Sequence, residues 1–188
     1  MEAFLSSVAA VALSEIGDKT QLLALVLATR FRKPIPIIAG IFVATVFNHA
    51  LAGLLGAQVG AWIGPAALRW IVGLGFLGVA AWTLVPDALS GDGGAPPRRG
   101  AFMTTLIAFF LAEMGDKTQL ATVALAAAHP GQTMAVIVGT TTGMLLADVP
   151  VVILGDRLAG RLDLGKARYA AALLFAAFGV WVLVRGVA

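Results

Sequence analysis

Glu15, Asp18 and Lys19 stand together in Glu15-Ile16-Gly17-Asp18-Lys19-Thr20-Gln21, inside an otherwise apolar stretch. The same heptapeptide recurs 98 residues later as Glu113-Met114-Gly115-Asp116-Lys117-Thr118-Gln119, with Met114 for Ile16 the single change. Four carboxylates and two ammonium groups thus sit where a membrane helix should be purely apolar. Such groups are costly in hydrocarbon and mark functional sites. Carboxylates, the hydroxyls of Thr20 and Thr118 and the amide oxygens of Gln21 and Gln119 make a hard, oxygen-only ligand set. That set suits Ca²⁺, Mn²⁺ or Mg²⁺ rather than soft metals. Four ionised acids in one dry site repel each other, so some should hold protons until a divalent cation displaces them. Cation/proton exchange follows from that clustering.

Lys19 and Lys117 are expected to compensate charge, pairing with Glu15 and Glu113 or with the adjacent Asp18 and Asp116. A purely structural ion-pair network is the plainer alternative. Glu15 with Asp18, and Glu15 with Lys19, are three and four residues apart, which on a helix makes them neighbours on one face. The same holds for Glu113, Asp116 and Lys117. Gly17 and Gly115 suit either close helix approach or a local break that exposes carbonyls. Asn48 and His49, and Asp148 ahead of Pro150, are further polar residues in apolar segments, and they are candidates for proton coupling. A packing hydrogen bond is the alternative for Asp148, repairing backbone freed by Pro150.

The elements that position these groups are membrane helices. The 188 residues are 60% hydrophobic and 12% charged, against about 25% charged in a soluble domain. Mean hydropathy is +0.94. The basic residues are scattered and not gathered into a stripe with aromatics, so nucleic-acid binding is not expected. The absence of cysteine excludes disulfides and thiolate metal sites. Met1-Glu2 gives no basic leader, so a cleaved signal is not expected. No G-x-x-x-x-G-K-[ST] loop is present for ATP-driven transport, and no catalytic constellation or cofactor site is evident.

Six segments reach the roughly 20 apolar residues of a span, at about 3–29, 35–60, 66–86, 101–127, 132–155 and 167–186. The expected fold is an all-α polytopic membrane protein. Residues 1–86 form one three-helix repeat, 87–100 a Gly/Pro-rich cytoplasmic linker, and 101–188 a second repeat. Residues 3–27 and 101–125 align without gaps with 12 of 25 positions identical, and Gly40 then matches Gly139. Three spans per repeat force the second copy to enter from the opposite side, giving inverted topology. Arg30, Arg32, Lys33, Arg98, Arg99, Arg157, Arg161, Lys166 and Arg168 fall on one side, against Arg69 and Arg185 on the other. By the positive-inside rule the first side is cytoplasmic and both termini lie outside. Trp62, Trp70 and Trp181 lie near span ends as interfacial anchors.

Two Glu-x-Gly-Asp-Lys-Thr motifs in a six-span chain of this size resemble the GDT1/UPF0016 family of cation transporters. The resemblance covers both motifs, the linker and the 3+3 layout. It implies transport of Mn²⁺ or Ca²⁺ in exchange for protons, and bacterial members resemble manganese exporters. It places the binding acids on Glu15, Asp18, Glu113 and Asp116. A short linker without a strongly acidic stretch is similar to bacterial members, which implies a bacterial inner membrane. The expected partners are the bilayer, a divalent cation and protons, with homo-oligomers allowed. The competing reading is an exporter of an amino acid or small organic cation, with the acids as counter-charges. A channel is disfavoured because polarity is concentrated at one depth.

Overall fold

The fold is taken from a computed structural model that describes residues 1–85, 100–154 and 164–186, with side chains of the last segment described from Tyr169. Every described element is a helix: α1 (Glu2–Glu15), α2 (Lys19–Phe31), α3 (Pro34–Trp62), α4 (Pro65–Thr83), α5 (Ala101–Glu113), α6 (Lys117–Ala128), α7 (Thr133–Leu154) and α8 (Leu164–Arg185). Prolines start α3 and α4, where the missing N–H costs nothing. The turn before α7 runs through Gly131 at φ +76°, and Arg32 ends α2 in the left-handed region. Helix α7 continues through Pro150 to Leu154.

Helices α3, α4 and α7 are each long and apolar enough to cross a membrane, and α5 and Tyr169–Arg185 are shorter apolar helices. The segments expected as single first and fourth spans are each interrupted. Helix α1 ends at Glu15 and α2 begins at Lys19; α5 ends at Glu113 and α6 begins at Lys117. The reading of each motif as one continuous helical face is therefore corrected. The cause is local: Gly17 and Gly115 adopt φ +83° and +79°, a conformation that glycine takes without the Cβ penalty. Of the two roles considered for these glycines, the break is the one adopted.

The helices interlock across the two halves of the sequence. Helix α7 packs on α1, and α3 packs on α5 and α6. Glycine lets the backbones meet. A Cβ on Gly139 would lie 2.7 Å from the Phe4 carbonyl oxygen, and one on Gly40 would lie 2.8 Å from that of Phe102. These are matching positions of the sequence repeat. Small residues at helix crossings are how apolar helices gain close packing in lipid.

Two hydrophobic clusters result. One joins Ala3 and Ala10 of α1, Phe76 of α4, Leu125 of α6, Val136 at the start of α7, and Phe175 of α8. The other joins Leu27 of α2, Ile41 of α3, Phe109 of α5, and Val151 near the end of α7. Each broken pair gives one helix to each cluster, so both breaks stand at the border. Trp62, Trp70 and Trp181 are exposed. The linker residues 87–99, Arg98 and Arg99 among them, and Arg157 and Arg161 lie outside the described residues, as do the side chains of Lys166 and Arg168.

Candidate cation site

The two breaks have the same backbone. Ile16 and Met114 have φ/ψ of −66°/112° and −65°/114°, and Asp18 and Asp116 both have −80°/168°. Each glutamate is thereby the last residue of one half-helix and each aspartate caps the start of the next. The aspartates sit at the positive end of a helix dipole, which favours an anion there. Neither aspartate spends its side chain on capping the helix, so both carboxylates are available to other partners. Gln21 and Gln119 hold the breaks. The Gly17 N–H donates to Gln21 Oε1 at 2.8 Å, and the Gly115 N–H donates to Gln119 Oε1 at 2.6 Å. The glutamine oxygens expected as ligands are thus engaged by backbone.

The lysines pair across the repeats, not within them. Lys117 Nζ donates to Asp18 Oδ1 at 2.6 Å, and Lys19 Nζ lies 3.1 Å from Asp116 Oδ1. Pairing with the adjacent aspartate or with the glutamate four residues back is replaced by this exchange. The break explains it, because a lysine in the first turn of α2 or α6 no longer shares a helical face with the acids before the glycine. Glu15 is bound from both repeats: Thr20 donates to Oε2 at 2.5 Å and Thr118 donates to Oε1 at 2.7 Å. Glu15, Asp18, Thr20, Glu113, Asp116, Lys117 and Thr118 are all buried. The two motifs form one polar centre.

A family profile described as divalent cation/proton antiporter GDT1 matches residues 3–91 and 101–188. The chain belongs to the GDT1 family. A Vibrio cholerae protein named "Putative manganese exporter" is 53% identical over 169 residues, covering 90% of this chain and 84% of that protein. GDT1-like protein 4 of Arabidopsis thaliana is 28% identical over 225 residues, covering 96% and 94%. GDT1-like protein 4 of Oryza sativa subsp. indica is 30% identical, covering 95% and 72%. No solved structure matches the chain significantly.

Within this GDT1 chain the matching acids are not equivalent. Glu113 is 1% exposed and neither of its carboxylate oxygens has a hydrogen-bond partner. Asp148 is wholly buried on α7 with both oxygens unpartnered, so it does not repair backbone freed by Pro150. His49, its match on α3, is wholly buried with both ring nitrogens unpartnered. Asn48 instead ties α3 to α5, donating from Nδ2 to the Phe110 carbonyl at 3.2 Å. Gln21 similarly ties α2 to α7, donating from Nε2 to the Ala147 carbonyl at 3.2 Å. Among the described residues no three His, Asp or Glu side chains are arranged to close on one metal ion. The arrangement is the lysine-compensated one, in which ammonium groups occupy the aspartates. The cross-pairing itself had no signal in the sequence beyond the presence of one lysine beside each aspartate.

Proposed function

We propose that the chain is a secondary transporter that moves Mn²⁺, with Ca²⁺ as the other candidate, out of the cytoplasm in exchange for protons. The observation that carries this reading is the reciprocal pairing of Lys117 with Asp18 and Lys19 with Asp116 around buried Glu15 and Glu113. A buried ammonium beside a carboxylate stands in for a cation. An arriving divalent ion would take the aspartates, with Glu15, Glu113 and the Thr20 and Thr118 hydroxyls as further oxygen ligands. The lysines would then withdraw. Glu113 and Asp148, buried with no partner, are the acids assigned to carry the counter-moving protons, with His49, at the repeat position matching Asp148, as a secondary relay. Gln21, Gln119 and Asn48 position the half-helices.

In this reading α1–α2 and α5–α6 each make one interrupted span, and six spans form two inverted repeats, residues 1–86 and 101–188. Broken helices with polar half-helix ends at mid-membrane are a recurrent transporter device. The protein lies in a bacterial inner membrane with both termini outside. Support for manganese comes from the oxygen-only ligands and from the named function of the Vibrio cholerae relative.

The test is transport in proteoliposomes loaded with a pH-sensitive dye. Mn²⁺ or Ca²⁺ added on one side should move protons the other way. The exchange should vanish in Glu15→Gln and Glu113→Gln. Proton movement that is absent in the parent chain, or unchanged in both variants, rejects the exchanger.

A further inference from the structure

The two lysine–aspartate pairs occupy matching positions of the repeat, yet one is dry and one is wet. In the Lys117–Asp18 pair the side chains are 4% and 0% exposed; in the Lys19–Asp116 pair they are 27% and 2%. At 1.5 Å per residue Lys19 lies about 17 Å along α2 from Arg30, and about 20 Å of α1 lies on the other side of the break. A four-carbon stem does not span such a distance to reach either interface. A lysine side chain opened to hydrocarbon at that depth is costly. The exposed part of Lys19 therefore faces water.

The packing shows from which side. Helix α8 packs on α1 and α4, and α4 packs on α6 and α8, but among the described residues neither packs closely on α2 or α5. The cluster around Phe76 and Phe175 packs over the α1/α6 end, beside a cavity of about 350 Å³ whose lining is largely apolar. The α2 face below Lys19 stays open. Val26 is 44% exposed and Arg30 is exposed, and both fall on the Lys19 face, seven and eleven residues on. On α6 the matching positions are covered: Ala124 is partly buried and Ala128 is 6% exposed.

We infer that the Lys19–Asp116 pair is the aqueous gate of the site, reached along the Lys19–Val26–Arg30 face of α2 from the end that carries Arg30, Arg32 and Lys33, while the buried Lys117–Asp18 pair is the dry latch on the α1/α6 side. This rests on the transporter reading, in that the wet route is taken as the path of the divalent cation. An ion arriving from that end meets Asp116 first, displaces Lys19, and reaches Asp18 only once Lys117 yields.

The chain has no cysteine, so single cysteines report directly. Val26→Cys and Ala124→Cys leave both lysines and every acid in place. Each is exposed to a membrane-impermeant cationic methanethiosulfonate in right-side-out and inside-out vesicles. Val26→Cys should label from the face bearing Arg30 to Lys33 at least tenfold faster than Ala124→Cys, and not from the other face. Lys19→Cys should likewise outpace Lys117→Cys. A Val26→Cys that is unreactive from both faces lies in lipid and overturns the inference. So does labelling from the opposite face, or equal labelling of the matched positions. Labelling needs no turnover. A chain with this pattern that exchanges no Mn²⁺ for protons rejects the transport reading alone, and one that transports but labels otherwise rejects this inference alone.

Discussion

Removing one lysine should cost more than removing its repeat-mate. In Lys117→Met the Asp18 carboxylate, 0% exposed with Lys117 Nζ at 2.6 Å, loses that ammonium. Stripping one partner from a buried pair costs about 3–5 kcal/mol, because a buried charge is left uncompensated. That is more than a hundredfold in the folding equilibrium, at about 1.4 kcal/mol per tenfold. In Lys19→Met the lost pair is longer, 3.1 Å, and its lysine is 27% exposed. Asp116 is left buried, but the pair is longer and its lysine partly exposed, so the expected loss is smaller, about 1–3 kcal/mol. The double variant Lys117→Met with Asp18→Asn removes both charges and should recover most of the stability, since replacing a whole buried pair by neutral groups is often near neutral. The assay is unfolding in mixed micelles at rising dodecyl sulfate fraction, followed by the fluorescence of the four tryptophans. Equal losses for Lys19→Met and Lys117→Met, or a double variant no better than Lys117→Met, would refute the assignment of one dry and one wet pair.

Glycine substitutions should divide by what a Cβ meets. Gly40→Ala and Gly139→Ala push a methyl against backbone oxygens at 2.8 and 2.7 Å and should each cost about 1–3 kcal/mol, whereas Gly75→Ala and Gly78→Ala meet nothing within 4 Å and should stay within about 0.5 kcal/mol in the same micelle titration. Gly115→Ala also meets nothing, but its φ of +79° should cost about 1–2 kcal/mol. Binding of Mn²⁺, measured by calorimetry, should tighten as pH rises, because metal and protons compete for the same carboxylates; an affinity flat from pH 5.5 to 8 would contradict shared sites. Asp148→Asn should leave Mn²⁺ affinity within about threefold of the parent (under 1 kcal/mol) while reducing proton movement per Mn²⁺ in the dye assay, and unchanged coupling would remove Asp148 from the proton path.

The polar centre was legible because its signal is local and duplicated. Charged heptapeptides in apolar runs name themselves, and Pro34, Pro65 and Gly131 punctuate the helices where composition says they should. The boundaries expected at 35–60 and 132–155 fall close to Pro34–Trp62 and Thr133–Leu154. The shared helical face of each motif was not legible correctly. A glycine amid good helix formers is compatible with a continuous helix or a break, and the choice is made by φ at Gly17 and Gly115, which the Gln21 and Gln119 side chains hold in place. Lysine partner choice is tertiary, so spacing along one chain segment pointed to the wrong acid. The inequality of the two halves had no sequence signal at all. The heptapeptides are nearly identical, and the difference comes from α4 and α8 lying against α1 and α6.

That inequality bears on how the proposed exchange would be enforced. Glu15, Asp18, Glu113, Asp116 and Asp148 are five buried acids, and Lys19 and Lys117 offset two of them. If all were ionised, three negative charges would remain uncompensated in a region that solvates ions poorly, which the interior cannot sustain. Two protons or one Mn²⁺ would each cut that excess from three charges to one, so the two fillings are equal in charge. Either filling lowers the excess by the same amount, and an empty centre keeps all of it. Under the proposed exchange, turnover would be favoured only when the centre is loaded one way or the other, which is the condition for obligatory exchange. The cross-pairing supplies the mechanical half. Each lysine is held by the aspartate of the opposite repeat, so rocking one repeat against the other must strain both bridges together. Under the proposed gate, a cation that frees Lys19 would weaken the attachment that keeps Lys117 in place, and opening of the α1/α6 end would follow from occupancy of the site.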